Sequence, residues 1–325
     1  MAPSPIPEPA DLRGVATGFL DVDGVAVHVG EVDGGAGGNR VPAGDSRRGA
    51  VLLHHFYGNV ATWRRVLRRL DRAGLPARAV DRPGFGWTER TDPAAARAMD
   101  TNPYTRAFGV AAARAVIDTA GWEEVVVVGS SMGGTLAIEL AHAMQADPTA
   151  PDISHLVLLS PALTGDVGMP PPLRPMLRAP WVGRTMEPLV HRLSRRIDLD
   201  RVAGGWYDQR LANEADVDAY LLPTRLPGWA QGIWEVMTVE PPPDLRTVAR
   251  SLDLPTTVVS GRHDRTIRPR WNERTAAGMD ADLVVLDTGH TPQEEAPDQV
   301  ADLIVERALA PAGGSAMSAE PGEPA

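Results

Sequence analysis

Unbroken apolar runs rich in valine and leucine recur along the chain, at AVLLH (50–54), EVVVVG (124–129), SHLVLLS (154–160), TTVVSG (256–261) and DLVVLD (282–287). A strand that is apolar on both of its faces predicts a parallel sheet covered on both sides. Between these runs the apolar period changes. Val60, Trp63, Val66, Leu67 and Leu70 share one helical face after Asn59, and Phe108, Ala112, Ala115 and Val116 do the same before Gly121. The alternation of the two patterns predicts an α/β fold. Ahead of it, GFLDVDGVAVHVGEV (18–32) offers two alternating strands with Asp-Gly between them, an antiparallel hairpin at the sheet edge. Residues 33–49 are glycine-rich and polar with no helix following, which reads as a surface loop and not a phosphate cradle.

From about Leu163 to Arg250 the strand pattern disappears and proline, tryptophan and methionine become frequent. Strands resume at TTVVSG, so the intervening chain is expected to be an inserted helical cap over residues 163–250. It divides the core into 18–162 and 251–311, with unstructured tails at 1–17 and 312–325. A chain of 325 residues can hold one such large core with its insertion.

Composition then removes several chemistries. Cysteine is absent, which excludes disulfides, thiolate zinc sites and cysteine nucleophiles. A net charge of −10 argues against nucleic acid as a partner. The N-terminal MAPSPIPEPADLRG lacks the pattern of a secretory signal, and no apolar run approaches the roughly 20 residues of a membrane span. A cytoplasmic protein acting on a small molecule is expected.

The most specific pattern is GSSMGG (129–134), set between the strand EVVVV and the helical stretch TLAIELAHAM. It satisfies G-x-S-x-G in a strand-turn-helix context, where the turn exposes the Ser131 hydroxyl at the carboxyl edge of the sheet. The small residues are needed because strand and helix approach closely at a sharp, strained turn. Serine is a weak nucleophile near neutrality, so a base and a group that orients the base are required. His290, in DTGHTPQEEAP after the last strand, is the expected base. Asp264, in SGRHDRTI after TTVVSG, is the expected orienting carboxylate, which gives the chain order Ser, Asp, His. His28 and His155, in or beside strands, are expected to be structural.

The elbow GSSMGG, the loop GRHD, the late GHTPQEEAP and DRPGFGWTER (81–90) together resemble the α/β-hydrolase fold family, in particular its cap-bearing esterase-like members, over about residues 18–310. The resemblance implies a mostly parallel eight-stranded sheet with helices on both faces. It makes Asp81 and Arg82 structural, with Gly84 and Gly86 allowing a tight turn. It also places HHFYGN (54–59) where the family usually has H-G-x-x-G, so the backbone amides of Phe56 and Met132 would hold an oxyanion. His55 stands where the family has glycine, which implies either strain at His55 or a rearranged loop. The alternative for His54 and His55, a metal pair, is disfavoured because neighbours on an extended segment point opposite ways. No cofactor or metal is expected.

Within the family, serine at the elbow disfavours haloalkane dehalogenase and epoxide hydrolase activities, which use aspartate there. Hydrolysis of a carboxylic ester is the leading expectation. Carbon–carbon hydrolysis of the meta-cleavage type is the runner-up, since those enzymes share a similar elbow but usually carry an aromatic residue where Thr291 and Pro292 follow His290. A catalytically silent ligand-binding member is the third. His55, Tyr57, Trp181, Trp206, Trp229 and Trp234 are candidate pocket residues.

Overall fold

A computed structural model describes residues 12–35, 47–163, 205–240 and 244–310, together with three single positions between 164 and 204. Eight strands form one sheet: β1 (Ala16–Val22), β2 (Val25–Val32), β3 (Arg48–Leu53), β4 (Ala77–Val80), β5 (Glu124–Ser130), β6 (Asp152–Leu159), β7 (Thr256–Gly261) and β8 (Asp282–Leu286). Their order is β1-β2-β4-β3-β5-β6-β7-β8. β1 and β2 are the expected hairpin. Asp23 and Gly24 both take positive φ, the conformation a two-residue turn needs to follow the strand twist. β2 runs antiparallel to β4, and from β4 onward every pair is parallel.

The unbroken apolar runs are explained by two cores. Val51, Leu53, Val125, Val127, Leu156 and Leu158 face α3 (Arg106–Ala120) and α4 (Met132–Gln145), where Phe108, Ile117 and Leu140 close over them. Their alternates, Ala50, Leu52, Val126, Val128, Val157 and Leu159, face Trp63, which directly precedes α1 (Arg64–Arg72), Leu67 of α1, and Ile304 of α10, Pro297–Leu309. Each such valine, leucine, isoleucine or phenylalanine contributes about 1.5–3 kcal/mol by leaving water. α3 stops where Gly121 takes the left-handed conformation, φ 70°. The edge strand β8 differs: Leu283 and Val285 stay exposed while Val284 and Leu286 pack inward.

Residues 12–17 of the tail expected at 1–17 are folded; the rest of it, and the tail expected at 312–325, lie outside the described residues. Leu12 and Val15 are buried and β1 begins at Ala16, because these apolar side chains find cover on Ala61 and on the α1 core. Most of the glycine-rich stretch 33–49 lies outside the described residues.

Between β6 and β7 lie α5 (Glu214–Leu221), α6 (Trp229–Thr238) and α7 (Arg246–Ser251). α5 opens on a capping box in which Asn213 accepts from the Asp216 amide and Asp216 accepts from the Asn213 amide. Its inner face is held by polar contacts. Asp216, fully buried, pairs with Arg64 and with Arg65 of α1, and the Ala219 carbonyl accepts from Asn59 Nδ2 at 2.6 Å. α7 returns to the sheet through Leu245 and Ala249, so packing on the core resumes a few residues before position 251. Trp181, His191, Met169, Met176 and Met186 fall outside the described residues.

Buried Asp81 fixes the loops after β3 and β4. Its carboxylate accepts from His28 Nδ1 at 2.7 Å, from the Val60 amide at 2.6 Å and from the Trp87 amide at 2.8 Å. Burial alone would raise its pKa, but the charge and hydrogen bond of His28 outweigh it and the net direction is downward. Gly84 and Gly86 have φ of 91° and 48°, and a Cβ on Gly86 would overlap the Asp81 carboxylate.

Candidate active site

Ser131 sits between the end of β5 and the first turn of α4 with φ 51° and ψ −110°, a conformation few side chains adopt. The neighbouring glycines show why the sequence folds this way. A Cβ on Gly129 would meet the Gly133 carbonyl, one on Gly133 would meet the Leu53 carbonyl of β3, and one on Gly134 would lie 2.8 Å from Pro161 Cβ. The turn is held by the Ser131 amide donating to the Leu159 carbonyl at 2.8 Å and by its own carbonyl accepting from Gly134 and Ala162. The hydroxyl does not cap the helix.

His290 Nε2 lies 3.1 Å from Ser131 Oγ, and His290 Nδ1 lies 2.8 Å from Asp264 Oδ2. The loops after β5, β7 and β8 thus bring together three residues spread over 159 positions of sequence. The other Asp264 oxygen accepts from the amides of Thr266 at 2.7 Å and Ile267 at 2.9 Å, which locks the carboxylate plane. The His290 amide donates to the Gly205 carbonyl, and Glu295 accepts from the amides of Gly289 and Tyr207. The segment entering α5 therefore straps the histidine loop in place. Ser131 is 8% exposed, and the Asp264 side chain is fully covered.

The turn after β3 runs from His55 to Gly58, closed by the Gly58 amide donating to the His55 carbonyl at 2.9 Å. Positive φ, 65°, falls on Tyr57 and not on His55, so the position that favours glycine in this turn is two residues later than the resemblance implies. Phe56 and Met132 pack against one apolar cluster of Phe85, Trp229, Ala230 and Ile233, which brings the two segments carrying the candidate oxyanion amides to a common surface. Tyr57 is 41% exposed, and its ring stacks on Trp229 at 6.1 Å. Trp206, Trp229 and Trp234 are all buried.

Both imidazoles of the His-His pair have both nitrogens engaged. His54 Nδ1 lies 2.7 Å from the His55 carbonyl, and His54 Nε2 accepts from the Arg82 amide at 3.1 Å, which assigns the proton to Nδ1. His55 Nε2 lies 2.9 Å from the Tyr220 hydroxyl, and Nδ1 lies 3.2 Å from Gln293 Nε2. Burial lowers the pKa of both histidines. For His55, placed well below the usual histidine range, the proximity of His290 and then His54 adds to the effect. His28 and His155 are structural as expected: one binds Asp81, and the other lies 2.9 Å from Thr257 Oγ1 across the sheet. No local pattern points to Tyr220 and Gln293 as partners, since they lie 165 and 238 residues from His55.

Residues 50–303 match the model of the alpha/beta hydrolase family, and the chain belongs to that family. Among characterised relatives it is similar to Lipase LipV of Mycobacterium tuberculosis (strain ATCC 25618 / H37Rv), with 28% identity over 280 residues that cover 82% of this chain and 94% of the lipase. Solved structures of the same fold include a meta-cleavage product hydrolase from Pseudomonas fluorescens IP01, with a TM-score of 0.62, 21% identity, and 90% and 97% of the two chains covered. A thermophilic esterase from Thermogutta terrifontis aligns with a TM-score of 0.62, 19% identity, and the same 90% and 97% coverage. No helix among the described residues is long and apolar enough to cross a membrane.

Proposed function

We propose that the protein is a serine hydrolase that cleaves a carboxylic ester, or a related acyl bond, of a small hydrophobic substrate through an acyl-enzyme. The observation that carries this reading is the strained Ser131, with His290 Nε2 3.1 Å from its hydroxyl and Asp264 2.8 Å behind the imidazole. His290 takes the Ser131 proton as the serine oxygen attacks the carbonyl carbon. The negative oxygen that forms is held by the amides of Phe56 and Met132, each such donor being worth about 3 kcal/mol to the transition state. His290 then returns the proton to the leaving alcohol, and a water molecule activated by the same histidine releases the acid.

The helical segment between β6 and β7 acts as the cap, with Trp229 lining the approach beside Phe56 and Met132. The name of the lipase relative and the apolar cluster around Phe85 support a hydrophobic acyl group.

Incubation with a fluorophosphonate followed by peptide mass spectrometry is the direct test. Labelling on Ser131, together with p-nitrophenyl ester hydrolysis that disappears in Ser131→Ala, is the expected result. Labelling elsewhere, or none in folded protein, removes the Ser131 assignment. A parallel panel of esters and vinylogous diketones separates ester from carbon–carbon cleavage, and binding without turnover across it identifies a silent receptor.

A further inference from the structure

Beside the group of Ser131, His290 and Asp264 lies a second set of buried polar side chains with no part in the steps above. Ser130 donates its hydroxyl to Gln293 Oε1 at 3.3 Å, and Gln293 Nε2 lies 3.2 Å from His55 Nδ1. His55 Nε2 lies 2.9 Å from the Tyr220 hydroxyl, which donates to Glu294 Oε2 at 2.7 Å. Ser130, His55, Gln293 and Glu294 are each at most 6% exposed.

Donor and acceptor capacities give this chain a direction. A carboxylate can only accept, so the Tyr220 proton points at Glu294 and the phenol oxygen receives the His55 Nε2 proton. The neutral imidazole then offers Nδ1 to the Gln293 amide protons, and the Gln293 carbonyl receives Ser130. Every link is satisfied, and His55 must be the Nε2–H tautomer. A proton placed on Glu294 Oε2, the oxygen that faces Tyr220, turns every link around. The carboxyl donates to Tyr220, Tyr220 donates to His55 Nε2, and His55 becomes the Nδ1–H tautomer. The Gln293 amide must then exchange its nitrogen and oxygen and donate toward Ser130.

The ends of the chain join the loops the reaction needs. Ser130 precedes Ser131, His55 precedes Phe56, Gln293 and Glu294 belong to the turn that follows His290, and Tyr220 sits on α5 of the proposed cap. We propose that His55, Gln293, Tyr220 and Glu294 are positioning residues, a reversible hydrogen-bonded chain that holds the nucleophile, oxyanion and histidine loops in register with α5. This rests on the serine-hydrolase reading above.

The carboxyl is also poised to change state. Burial pushes Glu294 up to about 7, and Asp216 of α5 adds to the rise; the Tyr220 hydrogen bond, Arg64 of α1 and Thr291 of its own turn oppose it. Arg65 of α1 reaches only the Glu294 backbone carbonyl, at 3.0 Å. Burial and the neighbouring carboxylate push Tyr220 well above its ordinary range, and burial holds His55 well below its own. Of the three, Glu294 alone titrates near neutrality. Above its midpoint Glu294 is ionised and the chain runs toward its carboxylate; acidification reverses it.

Two measurements test this on the full chain. In 15N-histidine-labelled protein, with the His55 signals assigned from their loss in His55→Gly, His55 is expected as Nε2–H at about pH 8.5 and as Nδ1–H at about pH 5.5, with no exchange of tautomer in Glu294→Gln. In p-nitrophenyl ester turnover, wild-type kcat is expected to fall more steeply on its acid side than the kcat of Glu294→Gln. Tyr220→Phe should lower kcat about tenfold with KM nearly unchanged, the effect of loops slightly out of register. Turnover with a His55 tautomer indifferent to pH, or with a slope that Glu294→Gln leaves unaltered, overturns the chain and spares the hydrolase reading. Wild-type protein that neither turns over esters nor takes up a fluorophosphonate overturns the hydrolase reading, and the positioning role with it.

Discussion

Replacing Asp264 by asparagine changes little volume yet removes the direction in which His290 is held. Asp264 Oδ1 accepts from two backbone amides, Thr266 at 2.7 Å and Ile267 at 2.9 Å, while Oδ2 faces His290 Nδ1 at 2.8 Å. The asparagine must keep its carbonyl toward the two amides. Turned over, it would aim its NH2 at them and leave two covered donors unpaired, a cost of about 2–6 kcal/mol. Its NH2 therefore faces His290 and forces the imidazole proton to Nε2, toward Ser131 Oγ. The serine then has no acceptor for its proton. A wrong tautomer of this kind costs about ten-thousandfold in kcat, or about 5 kcal/mol, while the fold keeps its packing. The assay is p-nitrophenyl ester turnover with the rate of fluorophosphonate labelling, and a melting curve as the control for folding. An Asp264→Asn protein that folds normally and keeps more than about a tenth of wild-type kcat would refute the reasoning.

Three further outcomes follow from packing and charge. Gly133→Ala puts a methyl group against the Leu53 carbonyl of β3, which cannot yield without moving the strand, so a loss of about 3 kcal/mol or more is expected in urea unfolding; a wild-type midpoint would contradict the close approach. Arg64→Met leaves buried Asp216 with Arg65 as its remaining cation and should destabilise by about 3–5 kcal/mol, whereas adding Asp216→Leu should recover much of the loss. Burial depresses His155 from 6.5 to about 4, with Arg307 adding to the effect. A depressed folded pKa gives stability that is complete above the unfolded value of 6.5 and lost as pH falls toward 4. Melting temperature should decline over that window, and His155→Gln should shallow the decline.

The parts of the molecule legible in sequence are those whose cause is local. The apolar runs at 124–129 and 256–261 declare two-sided burial, and Asp23-Gly24 declares its hairpin, because the determining residues are neighbours. The glycines around Ser131 are equally readable, since each answers a steric contact within one strand-turn-helix. Other features have causes far away in the chain. β4 is only four residues long and carries Arg78 in its middle, so no apolar run marks it; its place comes from pairing with β2 and β3. Leu12 and Val15 look like part of a polar, proline-rich tail until Ala61 and the α1 core are folded beneath them. His55 illustrates the limit most directly. Its neighbours in sequence suggest strain or a pocket, whereas its chemistry is decided by Tyr220, Gln293 and Glu294.

β8 has a consequence for handling the protein in solution. Leu283 and Val285 are about 40% exposed on the last strand of the sheet, and among the described residues no strand covers its outer edge. An apolar strand edge of this kind is a template for intermolecular pairing. Asp282 and Asp287 bracket it, but both carboxylates are already engaged, Asp282 with Arg307 and Asp287 with Arg262 and the His263 imidazole. Mutual repulsion between molecules therefore falls to the overall charge of −10, which vanishes near pH 5.3. Mild acid should bring colloidal association through β8 before the fold is lost, seen as rising light scatter in a sample whose melting transition is intact, and a lysine at position 283 or 285 should suppress it.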